Sequence, residues 1–460
     1  MNEQNEIKMQ EKYNRNKISF FLITFYSGLI IISDLGFKYY LKDQKNMSTS
    51  TFTKVLLIFK FPYLIKPLFG LLIDFFPIFG YKKKIYLLLC FIINILSWYI
   101  FLFRNNNNVM ISIICYMFIN LTISLTTVIG SAIQVEISRM KDKNNTLNKG
   151  TTNLMSQYFI IRSIGSLIPS YFKGFLIEKY TYDIIFYMSG LFSIFILISG
   201  IILDENKLSK TKNNKIKKNL IFSPLIEPEE KENKDNKIIR LINNKNILIL
   251  LFLIFILESS PSCVSPLFYY QINVLGLNPK NLGIIDFTSQ LAIIMFIKVR
   301  ETFFNKYNFK SITFFVKILI FGSISLIYLL IKKFTQQFIS DFYLLVFSIS
   351  LNVGLHSLNQ YPYSLLCIKF SSFGLETTTI AFCTCFCNLG NMFAEYIDYI
   401  LAIYFNVTHY NFVNLGTLIF VENILNLIPL LYVWIIPKSF FSIKKKTSSN
   451  IELVNLEEKK

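Results

Sequence analysis

Charged side chains inside long apolar segments are the residues of this sequence that could do chemistry. Eight of them share this setting: Asp34, Lys60, Arg162, Glu258, Asp286, Lys317, Glu395 and Asp398. A charge at the centre of a bilayer costs about 2.5–3.5 kcal/mol or more, so such residues usually bind ligands, pair with each other or carry protons. A buried cation can bind a carboxylate, and a buried acid can release and accept a proton. The pattern therefore indicates binding or transport inside a membrane.

Polar side chains also recur at helical spacing within the apolar segments. One segment carries them at Tyr158, Arg162, Ser166 and Ser170. Another carries them at Ser348, Asn352, His356 and Gln360. Comparable stripes cover residues 120–131 and 384–398. A lipid-facing helix is apolar all round, so these stripes predict a polar cavity between helices. The alternative is that the Ser and Thr residues merely hydrogen-bond neighbouring helices, at about 0.6 kcal/mol each.

Composition places the chain in a membrane. Of its 460 residues 53% are hydrophobic and 16% are charged, whereas soluble chains carry about 25% charged residues. This excludes a soluble enzyme and a disordered protein. At about 20 residues per crossing, the apolar runs account for about twelve helices. The predicted fold class is an all-α integral membrane protein with twelve transmembrane helices in two six-helix halves, the layout of the major facilitator fold.

A long polar stretch divides the two predicted halves. We expect a cytoplasmic N-terminal tail at 1–17, a first six-helix bundle at 18–203, a cytoplasmic linker at 204–245, a second bundle at 246–436 and a cytoplasmic C-terminal tail at 437–460. Lys and Arg cluster in the loops on the side of the tails and linker, which makes that side cytoplasmic. Lys42, Lys45, Lys332 and Lys333 weaken this contrast.

The net charge of +19 is best explained by topology and by attraction to anionic lipid, not by nucleic-acid binding. We expect a multi-pass protein of the plasma membrane, with an organelle membrane as the alternative.

The motif Cys383-Thr-Cys385-Phe-Cys387 resembles a metal site, but Cys385 would point away from the other two on a helix. The sequence therefore predicts neither a metal nor a cofactor.

The segment from Lys66 to Lys84 is the most specific motif in the chain. It reads Lys66-Pro-Leu-Phe-Gly70-Leu-Leu-Ile-Asp74-Phe-Phe-Pro77-Ile-Phe-Gly80-Tyr-Lys-Lys-Lys84. It resembles the signature of the folate-biopterin transporter family, a variant of the loop motif of major facilitators. Further matches are Arg162-Ser-Ile-Gly165, Gly374-Leu-Glu376-Thr-Thr-Thr-Ile-Ala381 and Asn388-Leu-Gly390. The resemblance covers nearly the whole chain outside the tails and linker.

This motif predicts a conformational latch. Asp74 ends a helix, where its charge can face the positive N-terminus of another helix, and the resemblance implies a latching role for Gly70 and Asp74. Glu376 is placed to cap its own helix. Lys82, Lys83 and Lys84 could pair with Glu376 or with lipid phosphate, or they could serve topology alone. At Ser131 the sequence departs from the family, whose members usually carry an Asp there, which puts inherited proton coupling at this position in doubt.

The resemblance implies a secondary active transporter that moves folate, pterin or a related anionic cofactor precursor by alternating access, with protons as the coupling ion. Such a ligand needs a cation, amide groups and aromatic faces. For substrate binding we expect Arg162 first, then Lys60, Lys317, Asn352, His356, Gln360 and Tyr269. For proton coupling we expect Glu258, Asp286 and Asp34, although Asp34 could instead pair with Lys38 one turn on.

Two other function classes compete with this interpretation. A major facilitator carrier could move another small solute, such as an amino acid, nucleoside, sugar or organic anion. A membrane-embedded enzyme would need a catalytic cluster, which two His residues without spaced ligands do not supply. A channel would need a pore loop or a charged ring, and neither is evident.

Overall fold

The computed structural model describes residues 3–45, 47–103, 109–142, 149–180, 182–207, 243–303, 309–335, 337–371 and 374–436. Within these ranges the regular elements are helices, and one isolated bridge joins Ile78 to Tyr81. Helices satisfy every backbone hydrogen bond within one segment, which lipid requires because it offers no partners. The predicted all-α class is confirmed. Most of the predicted linker, and the tail at 437–460, lie outside the described residues.

The helices fall into two groups along the chain. The first contains α1 (Glu3–Leu29), α2 (Ile32–Tyr39), α3 (Thr49–Lys60), α4 (Lys66–Phe75), α5 (Lys84–Leu102), α6 (Val109–Asp142), α7 (Lys149–Lys179), α8 (Tyr182–Phe192) and α9 (Ile194–Ile202). The second contains α10 (Lys245–Glu258), α11 (Val264–Asn273), α12 (Pro279–Phe303), α13 (Phe309–Ile331), α14 (Asp341–Phe370), α15 (Glu376–Tyr404), α16 (Leu415–Leu425) and α17 (Ile428–Ile435). A π-helical turn, Tyr40–Gln44, follows α2, and a 3₁₀ turn, Phe61–Ile65, joins α3 to α4.

Nine helical stretches of the described chain are long and apolar enough to cross a bilayer. Three others, α7, the pair α10 and α11, and α15, are not among them. α7 and α15 carry Arg162 and Glu395, and polar side chains lower the mean hydropathy of a segment. α10 and α11, with 14 and 10 residues, are each too short to cross alone. Length and hydropathy therefore support a multi-pass membrane protein, while the count of twelve crossings stays a prediction.

Proline explains the interruption between α10 and α11. Pro261 has no backbone N–H to continue the ladder, and α10 ends at Glu258 while α11 begins at Val264. Cys263 lies between them in a left-handed conformation, at φ 51°. We call residues 259–263 the helix break. Non-helical backbone at membrane depth is tolerated where it is covered by protein or lines a cavity.

Glycine allows α1 and α7 to cross at backbone contact. A Cβ on Gly165 would lie 2.5 Å from the carbonyl oxygen of Phe25, and a Cβ on Gly28 would lie 2.9 Å from the backbone nitrogen of Ser166. Small residues at helix crossings let backbones approach closely in membranes. This crossing fixes the position of Arg162, which lies one turn before Gly165.

Replacing Gly165 by Ala should destabilise the protein, because the new methyl group must displace the backbone of α1. Gly322 on α13 provides the matched control, since a Cβ there meets no atom within 4 Å. Ala in an open helical position gains about 1 kcal/mol over Gly, so Gly322→Ala should hold or raise the melting temperature. Thermal unfolding of the purified protein in detergent measures both. An equal response in the two variants would contradict the close crossing.

Candidate functional site

A cavity of about 500 Å³ lies between the two groups of helices. The first group contributes wall residues from α2 and α7, and the second contributes them from the helix break, α11, α12, α13, α14 and α16. Small-molecule sites in proteins commonly measure about 300–1,000 Å³. The cavity therefore has the size and position of a ligand site shared by the two groups.

Arg162 supplies positive charge to the cavity wall. It lies in the middle of α7, and its side chain is exposed to the cavity. Among the described residues it has neither an ion pair nor a side-chain hydrogen bond. A guanidinium has five N–H donors in a fork that matches a carboxylate. The unpaired fork can therefore accept an anion chemically.

The predicted stripe on α14 faces the same cavity. Asn352, His356 and Gln360 all line the wall, while Ser348 is fully buried and does not. Gln290 on α12 adds a further amide, whose oxygen accepts a hydrogen bond of 2.7 Å from Ser166. Amides supply both donors and acceptors, so the arrangement can recognise the edge of a polar ring.

Glu258 lies behind this wall at the end of α10, where it is 2% exposed. The hydroxyl of Tyr363 donates to one of its carboxyl oxygens. Gln360 donates to the same oxygen at 3.5 Å, and Nε2 of His356 is 3.7 Å from the other oxygen. A Cβ on Gly390 would lie 2.9 Å from the Glu258 side chain, so α15 packs closely here. The carboxyl group thus contacts two residues of the cavity wall.

The other two predicted coupling acids differ in their surroundings. Asp286 lines the cavity and forms an ion pair with Lys173 on α7. Asp34 is outside the wall, and the hydroxyl of Tyr116 approaches it at 3.5 Å. Lys38 lines the cavity instead, with its ammonium 5.6 Å from the centre of the Phe268 ring. The local pair of Asp34 with Lys38 is therefore not formed.

Three predicted substrate contacts lie away from the cavity wall. Lys60 forms an ion pair with Glu395, and Lys317 donates a 3.0 Å hydrogen bond to Ser260 in the helix break. Tyr269 donates to the carbonyl oxygen of Met47 at 2.7 Å. Each polar group already has a protein partner, as buried polar groups require. The aromatic rings on the wall are those of Phe159 and Phe268.

The latch residues meet at one end of the bundle. We call this end the linker side and define it by residues 203–207, which follow α9. Asp74 accepts hydrogen bonds from the backbone N–H of Thr378 at 2.8 Å and from its hydroxyl at 2.7 Å. Thr378 lies in the first turn of α15, so the carboxylate faces a helix N-terminus as the motif predicts. A Cβ on Gly70 would lie 2.9 Å from the Cα of Thr378, and this helix crossing therefore needs glycine.

The lysines of the motif have partners other than Glu376. Glu376 forms an ion pair with Arg139, so of the alternatives open for the motif lysines, pairing with Glu376 is not the one formed. Lys83 pairs with Glu136. The backbone N–H groups of Lys82, Lys83 and Lys84 donate to the carboxylate of Glu205, at 2.9 to 3.1 Å. The lysine segment is therefore held to the end of its own helix group, while Arg139 reaches across to the second.

Four charged residues at or beside the cavity have no site role in the sequence prediction, although the predicted stripe at 384–398 contains Asp398: Lys38, Lys173, Asp398 and Glu422. Lys173 lies beyond the polar stripe of α7, at a position where a charge is usually an end anchor. The signal for Glu422 was an acid within an apolar run, the same signal that identified Glu258.

Ser131 does not line the cavity, and its hydroxyl donates to the carbonyl oxygen of Thr127 at 2.9 Å. Within the described residues no group of three or more His, Cys, Asp or Glu could hold a metal.

Comparison with a solved structure relates this architecture to a known transporter. A crystal structure of the nucleoside transporter NupG superposes with a TM-score of 0.61, covering 94% of this chain and 100% of that one. The sequences are 11% identical, so the likeness concerns the fold alone. The superposition over nearly the full length of both chains supports the predicted fold.

Sequence comparison identifies the family. The chain is 29% identical over 430 residues to "Folate transporter 1" of Plasmodium falciparum (isolate 3D7), covering 92% of this chain and 79% of that protein. It is 22% identical over 430 residues to the "Folate-biopterin transporter" of Synechocystis sp. (strain ATCC 27184 / PCC 6803 / Kazusa), covering 92% and 82%. The sequence profile of the BT1 family matches residues 27–454. The protein therefore belongs to the BT1 family and is a multi-pass membrane transporter, as the resemblance of its loop motif to the folate-biopterin transporters predicted.

Proposed function

We propose that this protein is a secondary active transporter of folate, pterin or a related anionic cofactor precursor, driven by protons. The observation that supports this most directly is the unpaired guanidinium of Arg162 on the wall of the cavity, among the described residues. Relatives named folate transporters and folate-biopterin transporters match over most of the chain. An anion with a flat heteroaromatic ring fits both the charge and the amide-rich lining.

The cavity offers a separate group for each part of such a ligand. Arg162 would bind a carboxylate with two parallel hydrogen bonds. Asn352, His356 and Gln360 on α14 would contact the polar edge of the ring. The rings of Phe159 and Phe268 replace Tyr269 as candidate stacking surfaces. Lys60, Lys317 and Tyr269 are not part of this proposal, because their polar atoms bind other protein groups.

Proton coupling needs an acid that senses both the solvent and the ligand. Glu258 contacts Gln360 and approaches His356, so its charge acts directly on two proposed ligand contacts. Asp286 lines the cavity, and its partner Lys173 lies on the same helix as Arg162. Protonation of either acid would change the balance of charge that holds an anion at Arg162.

Alternating access needs contacts at each end of the bundle that break in turn. On the linker side Asp74 holds the N-terminus of α15, and Arg139 pairs with Glu376. On the opposite side Tyr269 on α11 donates to the backbone carbonyl oxygen of Met47.

We propose that twelve segments cross the membrane, adding α7, α10 with α11, and α15 to the nine apolar stretches of the described chain. The tails and linker would face the cytoplasm, and the plasma membrane is the proposed location.

Replacing Arg162 by Ala should abolish most folate uptake. A hydrogen bond to a charged group contributes about 1.5–3 kcal/mol, which corresponds to a loss of about tenfold to more than a hundredfold in apparent affinity. Arg162→Lys keeps the charge but loses the fork, so it should recover part of the activity. Uptake of labelled folic acid by proteoliposomes, with and without an inward proton gradient, measures both variants.

Lys179→Ala provides the matched control for this experiment. Lys179 is exposed near the end of the same helix, and it contacts the rings of Phe175 and Tyr180 rather than the cavity. Its removal should leave uptake unchanged. Competition by unlabelled amino acids, nucleosides and sugars tests the alternative cargo. Equal uptake by Arg162→Ala and wild type would refute the proposed carboxylate contact.

Replacing Asp74 by Ala should weaken closure on the linker side, because α15 loses the anion at its N-terminus. A helix-terminal charge contributes about 0.3–1 kcal/mol when exposed and up to about 2 kcal/mol when partly buried. Ser156 hydrogen-bonds Tyr361 across the closed interface, so Ser156→Cys reports on opening. A thiol reagent should label this cysteine faster in the Asp74→Ala background than in the wild-type background. Asp74→Asn keeps an acceptor and should fall between them, while unchanged labelling would argue against the latch.

A further inference from the structure

Two buried carboxyl groups meet beside the helix break. Asp398 on α15 is 4% exposed and Glu422 on α16 is 2% exposed. The two side chains are within hydrogen-bonding reach of each other. Glu422 also lines the cavity. These acids are separate from Glu258 and Asp286, which the proposed function already uses.

The hydrogen bonds around the pair leave Glu422 without a strong donor. The backbone N–H of Ser262 donates to Asp398 at 3.1 Å. Both carboxyl oxygens of Glu422 are buried, and the donor within reach among the described residues is the Cys263 thiol, which is a weak one. Buried oxygens without a strong donor are rare, because each of them destabilises the fold. A donor between the two carboxyl groups would satisfy Glu422 and remove the contact between two acceptors.

No described cation is paired with either acid. The titratable groups nearest to the pair are Cys263 in the break and Glu395 on α15, which pairs with Lys60 on α3. Lys317 on α13 donates to Ser260 in the break. Two carboxylates in contact in a low dielectric cannot both stay ionised, so one proton is retained by the pair.

We infer that Asp398 and Glu422 form a proton-binding site in which the two carboxyl groups share one proton, and that this pair, in place of Glu258 or Asp286, binds the coupling proton. The second part of this inference rests on the proposed function. The site would take a proton from the cavity through Glu422 and hold it against the helix break. Only one O–H bond forms and breaks, so the step needs no other reactant.

The position of the pair connects its proton to the closure of the bundle. Ser262 ties Asp398 to the start of α11, and the side chain of Asn426 on α16 donates to the carbonyl oxygen of Pro261 at 2.9 Å. On α11, Phe268 stacks on Phe52 of α3 with ring centres 5.9 Å apart. Loss of the proton would leave two negative charges in contact, and their repulsion would shift α11 away from its contacts with the first group.

Glu422→Gln is the decisive variant, because its amide donates permanently where the proton would lie and its shape is nearly that of Glu. We expect this variant to exchange labelled folate for unlabelled folate across proteoliposomes but to lose accumulation driven by a proton gradient. One pH unit is worth 1.36 kcal/mol, so one coupled proton supports up to about tenfold accumulation in wild type and none in the variant. Asp398→Asn should behave in the same way as Glu422→Gln. It provides the test if Glu422→Gln does not fold.

Infrared spectroscopy of the purified protein tests the site without transport. A protonated carboxyl group has a C=O stretching band that a carboxylate lacks, and Glu422→Gln should lose one such band. Glu178→Gln is the matched control, since Glu178 is exposed near the end of α7 and its loss should leave the band in place.

The outcomes separate this inference from the proposed function. If wild-type protein takes up folate but Glu422→Gln still responds to the proton gradient, the coupling role is wrong and the proposed transport stands. Wild-type uptake driven by a sodium gradient instead of a proton gradient would also overturn the coupling role. If wild-type protein moves no folate, the proposed function fails, and the infrared band alone decides whether the pair holds a proton. An unchanged band in Glu422→Gln would refute the site itself.

Discussion

The cost of a charge inside the bilayer is the constraint on which the rest of this structure depends. Each ionised group within the bundle must have a partner, a ligand or a proton. Lys60 has Glu395, Asp286 has Lys173, and Arg139 has Glu376. Arg162 and Lys38 are the cations that line the cavity without an ion pair among the described residues, and the Lys38 ammonium lies 5.6 Å from the centre of the Phe268 ring. The same constraint that pairs the other charges is therefore the reason to propose Arg162 as a binding group.

Close helix crossings place these charges precisely. Gly165 brings α7 against α1 one turn after Arg162, Gly390 brings α15 against Glu258, and Gly70 brings α4 against the start of α15. In lipid the hydrophobic effect does not drive helices together, so packing and polar contacts must do it. A methyl group at any of these positions would move a backbone and, with it, a charged side chain. Packing and electrostatics are thus set by the same few positions.

The periodicity of the sequence predicted the helices and part of the cavity wall, because a polar face on an apolar helix is costly against lipid and must turn inward. The stripes at 120–131 and 384–398 contribute no residue to the wall. The stripe at Asn352, His356 and Gln360 lies on the wall as expected. Partners across the fold were not predictable in this way. Nothing in the local sequence distinguishes Lys60, which pairs with Glu395, from Arg162, which has no such pair among the described residues. Both are single cations in apolar runs, and their difference arises from which helices pack together.

Helix α15 connects the two ends of the bundle. Its 29 residues extend about 43 Å at 1.5 Å per residue, enough to cross the whole membrane. Its first turn binds Asp74 and Arg139 on the linker side, and near its other end Asp398 accepts from Ser262 at the helix break. Between them Glu395 pairs with Lys60 of the first group. Since a continuous helix resists bending, a change of charge at Asp398 that moves α15 also acts on the contacts at Glu376. A single rigid element can therefore make closure at one end depend on protonation near the other.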